Sequence, residues 1–193
     1  MIVKTIDKKE FSSICQELYA MIDQNNLTHL IFIENGGTYI FKELDGKISK
    51  NIIISTLRVF RPSTSVKEKK FVKYILKNLP LKIVNILRKI ESKFFKKFGN
   101  SERSYIYNDK FIDQIKKIKK NKEMVIYIID DAIDSGNTVQ YIINYILNLN
   151  NNIKRDNIKI ACISQTQSDS LIAPDVKIYE NVLCRFHWSN DFR

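Results

Sequence analysis

Residues 124–140 read MVIYIIDDAIDSGNTVQ. The apolar run Val125–Ile129 leads straight into two adjacent carboxylates, Asp130 and Asp131, and then into the loop Asp134-Ser135-Gly136-Asn137-Thr138. The run predicts a buried strand, and the apolar periodicity that follows predicts a helix over 137–149. Loop amides and a helix N-terminus present unpaired donors and partial positive charge, so this turn is built to attract phosphate. The hydroxyls of Ser135 and Thr138 add donors, and Gly136 permits close approach and a positive φ. Carboxylates at the strand end accept hydrogen bonds from vicinal hydroxyls. Strand, acid pair, small hydroxyl-rich loop and helix together suit a sugar phosphate.

Outward from this stretch, strands and helices alternate. Phe11, Cys15, Leu18, Tyr19 and Ile22 recur at helical spacing over 8–24, with Asp7 as N-cap and Glu10 three residues on. Residues 28–34 (THLIFIE) read as a buried strand, Asn35-Gly36-Gly37 as a tight turn, Thr38–Leu44 as a helix start, and Asn51–Val59 as a strand. Residues 66–97 carry an apolar stripe at helical spacing that Asn78 and Pro80 divide in two. A Lys-rich helix over 109–119, a strand over 158–164 and a last strand near 181–186 complete the chain. Alternation of this kind predicts an α/β fold, a central and mainly parallel sheet flanked by helices. Ligands in such sheets sit beyond the carboxyl ends of the strands. Both Glu34–Gly37 and Asp130–Thr138 fall at such ends.

The 193 residues are the length of one domain. No run of eighteen apolar residues exists, and the N-terminus lacks the apolar core of a signal peptide. Cys15, Cys162 and Cys184 are too few and too far apart for a disulfide framework or a zinc site, which fits a cytoplasmic setting and buried thiols. The net charge of +11 is unevenly placed. Residues 66–122 hold 18 Lys/Arg against 5 Asp/Glu, a net +13, which leaves the rest of the chain at −2. This basic helical insert reads first as a hairpin with a solvated charged face, packed on the core or on a second subunit. Nucleic acid or an anionic membrane surface are the alternative partners.

The stretch VIYIIDDAIDSGNT resembles the phosphoribosyl-pyrophosphate (PRPP) signature of the type I phosphoribosyltransferases, nearest in kind to the microbial xanthine/hypoxanthine branch. The signature is an apolar run, two acids, two or three variable residues, an acid or Thr, Thr/Ser, Gly, any residue and Thr/Ser. Each position is filled here. LIFIENGGTYIFKEL resembles the same family's first-strand loop, whose backbone binds pyrophosphate; Asn35 stands where Arg or Lys is usual. The C-terminal VLCRFHWSNDFR is similar to the aromatic end of purine-type members, with His187 where Pro is common. On the strand after the motif helix, the family's base-contacting Lys is replaced by Gln165 or Gln167 in IACISQTQSD. The family's mobile loop has Arg58, Arg61 and Ser104-Tyr105 as candidates.

The resemblance implies a Mg²⁺-dependent enzyme that moves 5-phosphoribose from PRPP to a purine-like base, working as a homodimer. Asp130 and Asp131 are its metal-associated and catalytic acids, and Asp134 is a catalytic proton acceptor. Asp134, Ser135, Gly136, Asn137 and Thr138 hold the 5′-phosphate. Asn35, Gly36, Gly37 and Arg58 receive pyrophosphate. Phe186, Trp188 and Gln165 meet the base, with Arg185 able to face an exocyclic oxygen or a phosphate. His187 and His29 read as packing residues. The alternative is a PRPP- or nucleotide-sensing regulator on the same fold, whose basic insert binds nucleic acid.

Overall fold

The computed structural model describes residues 2–59, 80, 83–86, 105–106, 109–119, 124–189 and 192. Their elements run β1 (Ile2–Ile6), α1 (Lys8–Met21), β2 (Leu27–Ile33), α2 (Gly36–Leu44), β3 (Ile53–Val59), β4 (Tyr105–Ile106), α3 (Asp109–Lys116), β5 (Val125–Ile133), α4 (Asn137–Leu149), β6 (Ile158–Gln165), β7 (Val176–Glu180) and β8 (Val182–Phe186). A six-stranded sheet has the order β4-β3-β2-β5-β6-β7, and β1 and β8 form a separate parallel pair. Every pairing is parallel except β3 with β4. The expected mainly parallel α/β sheet is therefore present.

Burial on both faces makes the central strands continuous apolar runs, as parallel sheets require. Alternate residues of β2 point to opposite sides. Leu30 and Phe32 join one core cluster with Phe11, Leu18, Ile40 and Leu44 of α1 and α2. Ile31 and Ile33 join the other, with Phe111 and Ile115 of α3 and Val139, Ile142 and Ile146 of α4. The strands after helices therefore cross over on opposite sides of the sheet, α2 on one and α4 on the other.

Several ends differ from the sequence reading, each for a local reason. Asp7 caps α1 as expected, accepting a bond from Glu10 N at 2.8 Å. Glu10 does not complete a capping box; its carboxylate pairs with Lys4 Nζ on β1 at 2.8 Å. α2 begins at Gly36, so the two glycines are its first turn rather than a separate turn. α3 stops at Lys116, where Asn150 Nδ2 donates to Ile115 O (2.7 Å) and Ile118 O (2.8 Å) and ties its end to the end of α4. β1 and β7 have no counterpart in the sequence reading. Most of the expected helix 66–97 lies outside the described residues, as do Arg61 and Ser104; residues 83–86 are helical. All three cysteines are buried free thiols. No helix among the described residues is long and apolar enough to cross a membrane.

Candidate functional site

The chain leaves β2 through α2 for β3 on one side and leaves β5 through α4 for β6 on the other, while β2 and β5 are themselves hydrogen-bonded neighbours. The loops after two adjacent strands thus part in opposite directions, which opens a crevice at their carboxyl ends. The loop after β2 is Glu34-Asn35, followed at once by the Gly36-Gly37 start of α2, and the loop after β5 is Asp134–Gly136.

β5 continues as a strand through the acid pair, beyond the stop expected at Ile129. Its ladder with β6 persists to Ile133↔Gln165 and includes Asp130↔Cys162. Its ladder with β2 ends at Phe32↔Ile129. Past Ile129 the edge of β5 is vacated by β2, and the first turn of α2 moves in. A Cβ on Gly36 would lie 1.9 Å from Asp131 Oδ1 and 2.0 Å from its Cγ, so the backbone of this turn rests on the carboxylate. A Cβ on Gly37 would come within 2.8 Å of Ile129 O. The acid pair is itself held by the local backbone. Asp131 N donates to Asp130 Oδ1 (2.9 Å), and Ala132 N to Asp131 Oδ1 (3.0 Å). Asp130 is buried. Among the described residues no group of three or more His, Cys, Asp or Glu is arranged so that it could hold a metal ion by itself.

The turn after β2 is strained. Asn35 has φ 78° and ψ −90°, a region that costs a residue with a side chain about 1–3 kcal/mol, and its side chain makes no capping bond to α2. The Thr38 hydroxyl, one turn in, is buried without a hydrogen-bond partner among the described residues. Leu57 of β3 pairs with Ile33, Glu34 N donates to Leu57 O at 2.7 Å, and the Arg58 guanidinium stands 3.9 Å from the Glu34 carboxylate.

The loop after β5 turns at Gly136, with φ 77°, where a Cβ would meet Ile172 N at 2.9 Å. Only glycine fits both the sign of φ and the approach. Asn137 and Thr138 begin α4, and Asn137 Nδ2 donates to Ser135 Oγ at 3.0 Å. Asp134 is half-buried and accepts a 2.5 Å hydrogen bond from the Thr166 hydroxyl, which follows β6. Leu171 N donates to Ser135 O at 2.9 Å, so the segment after β6 lies against the whole loop.

The residues expected to meet a base are engaged by the protein itself. Gln165 is 2% exposed; its amide donates to Gln167 O (3.0 Å) and Ser170 Oγ (2.9 Å), and its carbonyl accepts from Lys177 Nζ (2.8 Å). Trp188 stacks on Tyr39 (4.1 Å, 6°) and on Phe186 (4.6 Å, 3°), with Phe11 edge-on at 4.7 Å. Phe186 belongs to the core. The Arg185 guanidinium bonds to the Thr5 hydroxyl (3.1 Å) and to Asn85. His187 packs edge-on against Phe11, Tyr39 and Trp188. His29 is buried on β2, where burial lowers its pKa to about 4. Cys162, beside Asp130, is held as a thiol, since burial and then the charges of Asp130 and Asp131 raise its pKa. Burial likewise lifts Cys184 to about 11 and Cys15 to about 12.

Comparison with known proteins agrees with this geometry at the level of the fold. The structure is similar to a purine phosphoribosyltransferase from Pyrococcus horikoshii, with TM-score 0.57, 14% identity, and coverage of 98% of this chain and 95% of that one. The fold is that of the type I phosphoribosyltransferases. A xanthine-guanine-hypoxanthine phosphoribosyltransferase from Helicobacter pylori matches with TM-score 0.55 and 11% identity over 96% of this chain and 91% of that one. A Neisseria gonorrhoeae protein with bound ppGpp matches with TM-score 0.54 and 11% identity over 97% and 90%. No family model and no curated protein matches the sequence.

Thr166 and Lys177 carry no motif and went unread in the sequence. The one available signal was the place of Thr166 just past the end of the strand after the motif helix.

Proposed function

We propose that the protein is a phosphoribosyltransferase, transferring 5-phosphoribose from PRPP to a purine-like nitrogenous base with release of pyrophosphate. The observation that carries this reading is the backbone of Gly36 resting on the Asp131 carboxylate, which joins the Gly-Gly turn, the acid pair and the Asp134–Thr138 loop around one crevice. Amides of Ser135, Gly136, Asn137 and Thr138 at the start of α4 would hold the 5′-phosphate. The backbone of Asn35, Gly36 and Gly37 would receive pyrophosphate, with Arg58 as the nearby cation. Asp130 and Asp131 would accept hydrogen bonds from the ribose hydroxyls. The C1–oxygen bond to pyrophosphate breaks, a ring nitrogen bonds to C1, and Asp134 takes that nitrogen's proton. Rate comes mainly from positioning and charge placement. Phe186, Trp188 and Gln165 would shape the base side of the crevice rather than present free groups to it.

Two adjacent carboxylates are an all-oxygen donor set, which fits Mg²⁺ completed by water and substrate rather than a protein cage. When bound there, the ion would neutralise the charge of the leaving pyrophosphate. Asp130 and Asp131 would hold it. The double variant Asp130→Asn/Asp131→Asn is expected to lose pyrophosphate release from PRPP by more than about a hundredfold while keeping its melting temperature. Full activity in that variant would exclude the mechanism.

A second reading is a nucleotide-sensing regulator on this fold. It is favoured by the fold shared with a ppGpp-bound protein and by Asn35, which leaves the pyrophosphate turn without its own cation. Tight ppGpp binding by calorimetry, with no pyrophosphate release for any base in a broad panel, would establish it over the transferase.

A further inference from the structure

We propose that Thr166 is a positioning residue, whose hydroxyl fixes the Asp134 carboxylate so that Oδ2 is the oxygen offered to the incoming base. This rests on the transferase reading. Asp134 sits on a loop and is half-buried, so its side chain has several staggered rotamers to choose from. Thr166 is 3% exposed and removes that choice. A hydroxyl has one proton to give, and of its two acceptors Asp134 Oδ1 at 2.5 Å takes it over Ile133 O at 3.5 Å, where a hydrogen bond is far weaker. Oδ1 is thereby committed.

Thr166 is rigid enough to do this. Its N–H donates to Ile133 O at 2.9 Å, which extends the β5–β6 ladder by one residue. The preceding residue, Gln165, is locked on three sides. Lys177 Nζ on β7 donates to its carbonyl while also pairing with Glu180 Oε1 at 3.1 Å, and its amide closes the 165–170 loop through Gln167 O and Ser170 Oγ. Ser170 Oγ in turn donates to Ile172 O at 2.8 Å, and Ile172 N is the group that leaves Gly136 no room for a side chain. A line of bonds thus runs from Glu180 and Lys177, through Gln165, to the loop after β6, and that loop reaches the carboxylate through Thr166 and the turn after β5 through Leu171 N, which donates to Ser135 O. Gln165 and Thr166 are its buried members, and buried polar groups whose partners are all satisfied specify one arrangement. That arrangement fixes one oxygen of one acid.

The test compares Thr166→Val, which keeps shape and removes the hydroxyl, with Thr166→Ser, which keeps the hydroxyl. In Thr166→Val, kcat for pyrophosphate release is expected to fall about tenfold, with PRPP affinity by calorimetry unchanged within about twofold. Thr166→Ser restores kcat, and Thr166→Val causes no further loss in an Asp134→Asn background. Crystal structures of the two variants supply a readout independent of turnover. Asp134 leaves its rotamer in Thr166→Val and keeps it in Thr166→Ser. An unchanged Asp134 rotamer in Thr166→Val, or equal losses of PRPP affinity and kcat, overturns the proposal. If the wild-type protein releases no pyrophosphate, the transferase reading falls, and the rotamer comparison still decides whether Thr166 orients Asp134.

Discussion

Gly36 has no space for a side chain, but the atoms in the way are the end of the Asp131 side chain, which can swing aside. Gly36→Ala is therefore expected to fold with a melting temperature within a few degrees of wild type, and to displace Asp131. On the transferase reading, pyrophosphate release drops at least about tenfold. A thermal melt beside a steady-state assay separates the two effects; loss of folding would show that the turn and not the acid had yielded. Gly37→Ala meets backbone instead, at Ile129 O, and has no such escape. At this scale the acid pair, the glycines and the Ser-Gly-Asn-Thr loop were each legible as a local pattern, while the meeting of Gly36 with Asp131, far apart in the chain, follows from the pairing of β2 with β5. Thr166 and Lys177 were not. Their neighbours are set by strand register, Ile133↔Gln165 and Cys162↔Lys177, and no local pattern encodes a register between strands. Gln165 was read as a base contact because its position in the chain was right, while the Lys177 ammonium that occupies its carbonyl comes from the next strand.

The C-terminal strand β8 and the helices α1 and α2 meet through aromatic rings. Phe11 of α1, Tyr39 of α2, and Phe186 and Trp188 at the end of β8 form one group around the indole. Aromatic pairs add about 0.5–1.5 kcal/mol each beyond their buried area. Trp188→Ala is expected to lower unfolding stability by about 2–3 kcal/mol in urea titration, with Trp188→Phe recovering part of it. If Trp188→Ala instead leaves stability unchanged and raises KM for the base, the indole serves substrate. The aromatic residues were visible in the sequence, but whether an aromatic face meets a base or another ring depends on how two elements dock. Element type followed from periodicity, as in α1 and α4. Element ends did not, because competition from outside the element sets them. Glu10 was drawn off its capping box by Lys4, and β5 was prolonged past Ile129 by β6.

For the molecule as a whole, acid sensitivity is the property that burial makes predictable. His29 is 4% exposed, its Nδ1 lies 2.9 Å from the Thr28 hydroxyl, and its Nε2 has no partner among the described residues. Burial lowers its pKa from 6.5 to about 4. Between those values the unfolded chain binds a proton that the folded chain does not, so stability rises with pH in this window and falls as pH drops through it. Above pH 6.5 both states hold the neutral ring, and this pH-dependent cost disappears. From pH 7 to pH 4 the His29 contribution is expected to reach roughly 3 kcal/mol of destabilisation. It is measured as the stability difference between wild type and His29→Leu across the range; a difference that does not vary with pH would refute it. The α/β class was legible from alternating elements. The pairing of β1 with β8 was not, since Ile2↔Val182 joins the two ends of the chain and nothing local announces so long a closure.

The vacated edge of β5 has one more consequence. Both halves of the crevice hang from strands bonded to each other through Leu27↔Val125 to Phe32↔Ile129, with one irregularity between Leu27 and His29. Prying the two strand backbones apart means breaking the central ladder of the sheet, whereas the Asp131 side chain can move off the glycine turn without it. Separation of the two backbone halves of the crevice and loss of the fold are then a single cooperative opening. Backbone amides of Ile128 and Ile129 would exchange with solvent at the rate of global unfolding, and any molecule that fills the crevice would slow that exchange across the entire sheet.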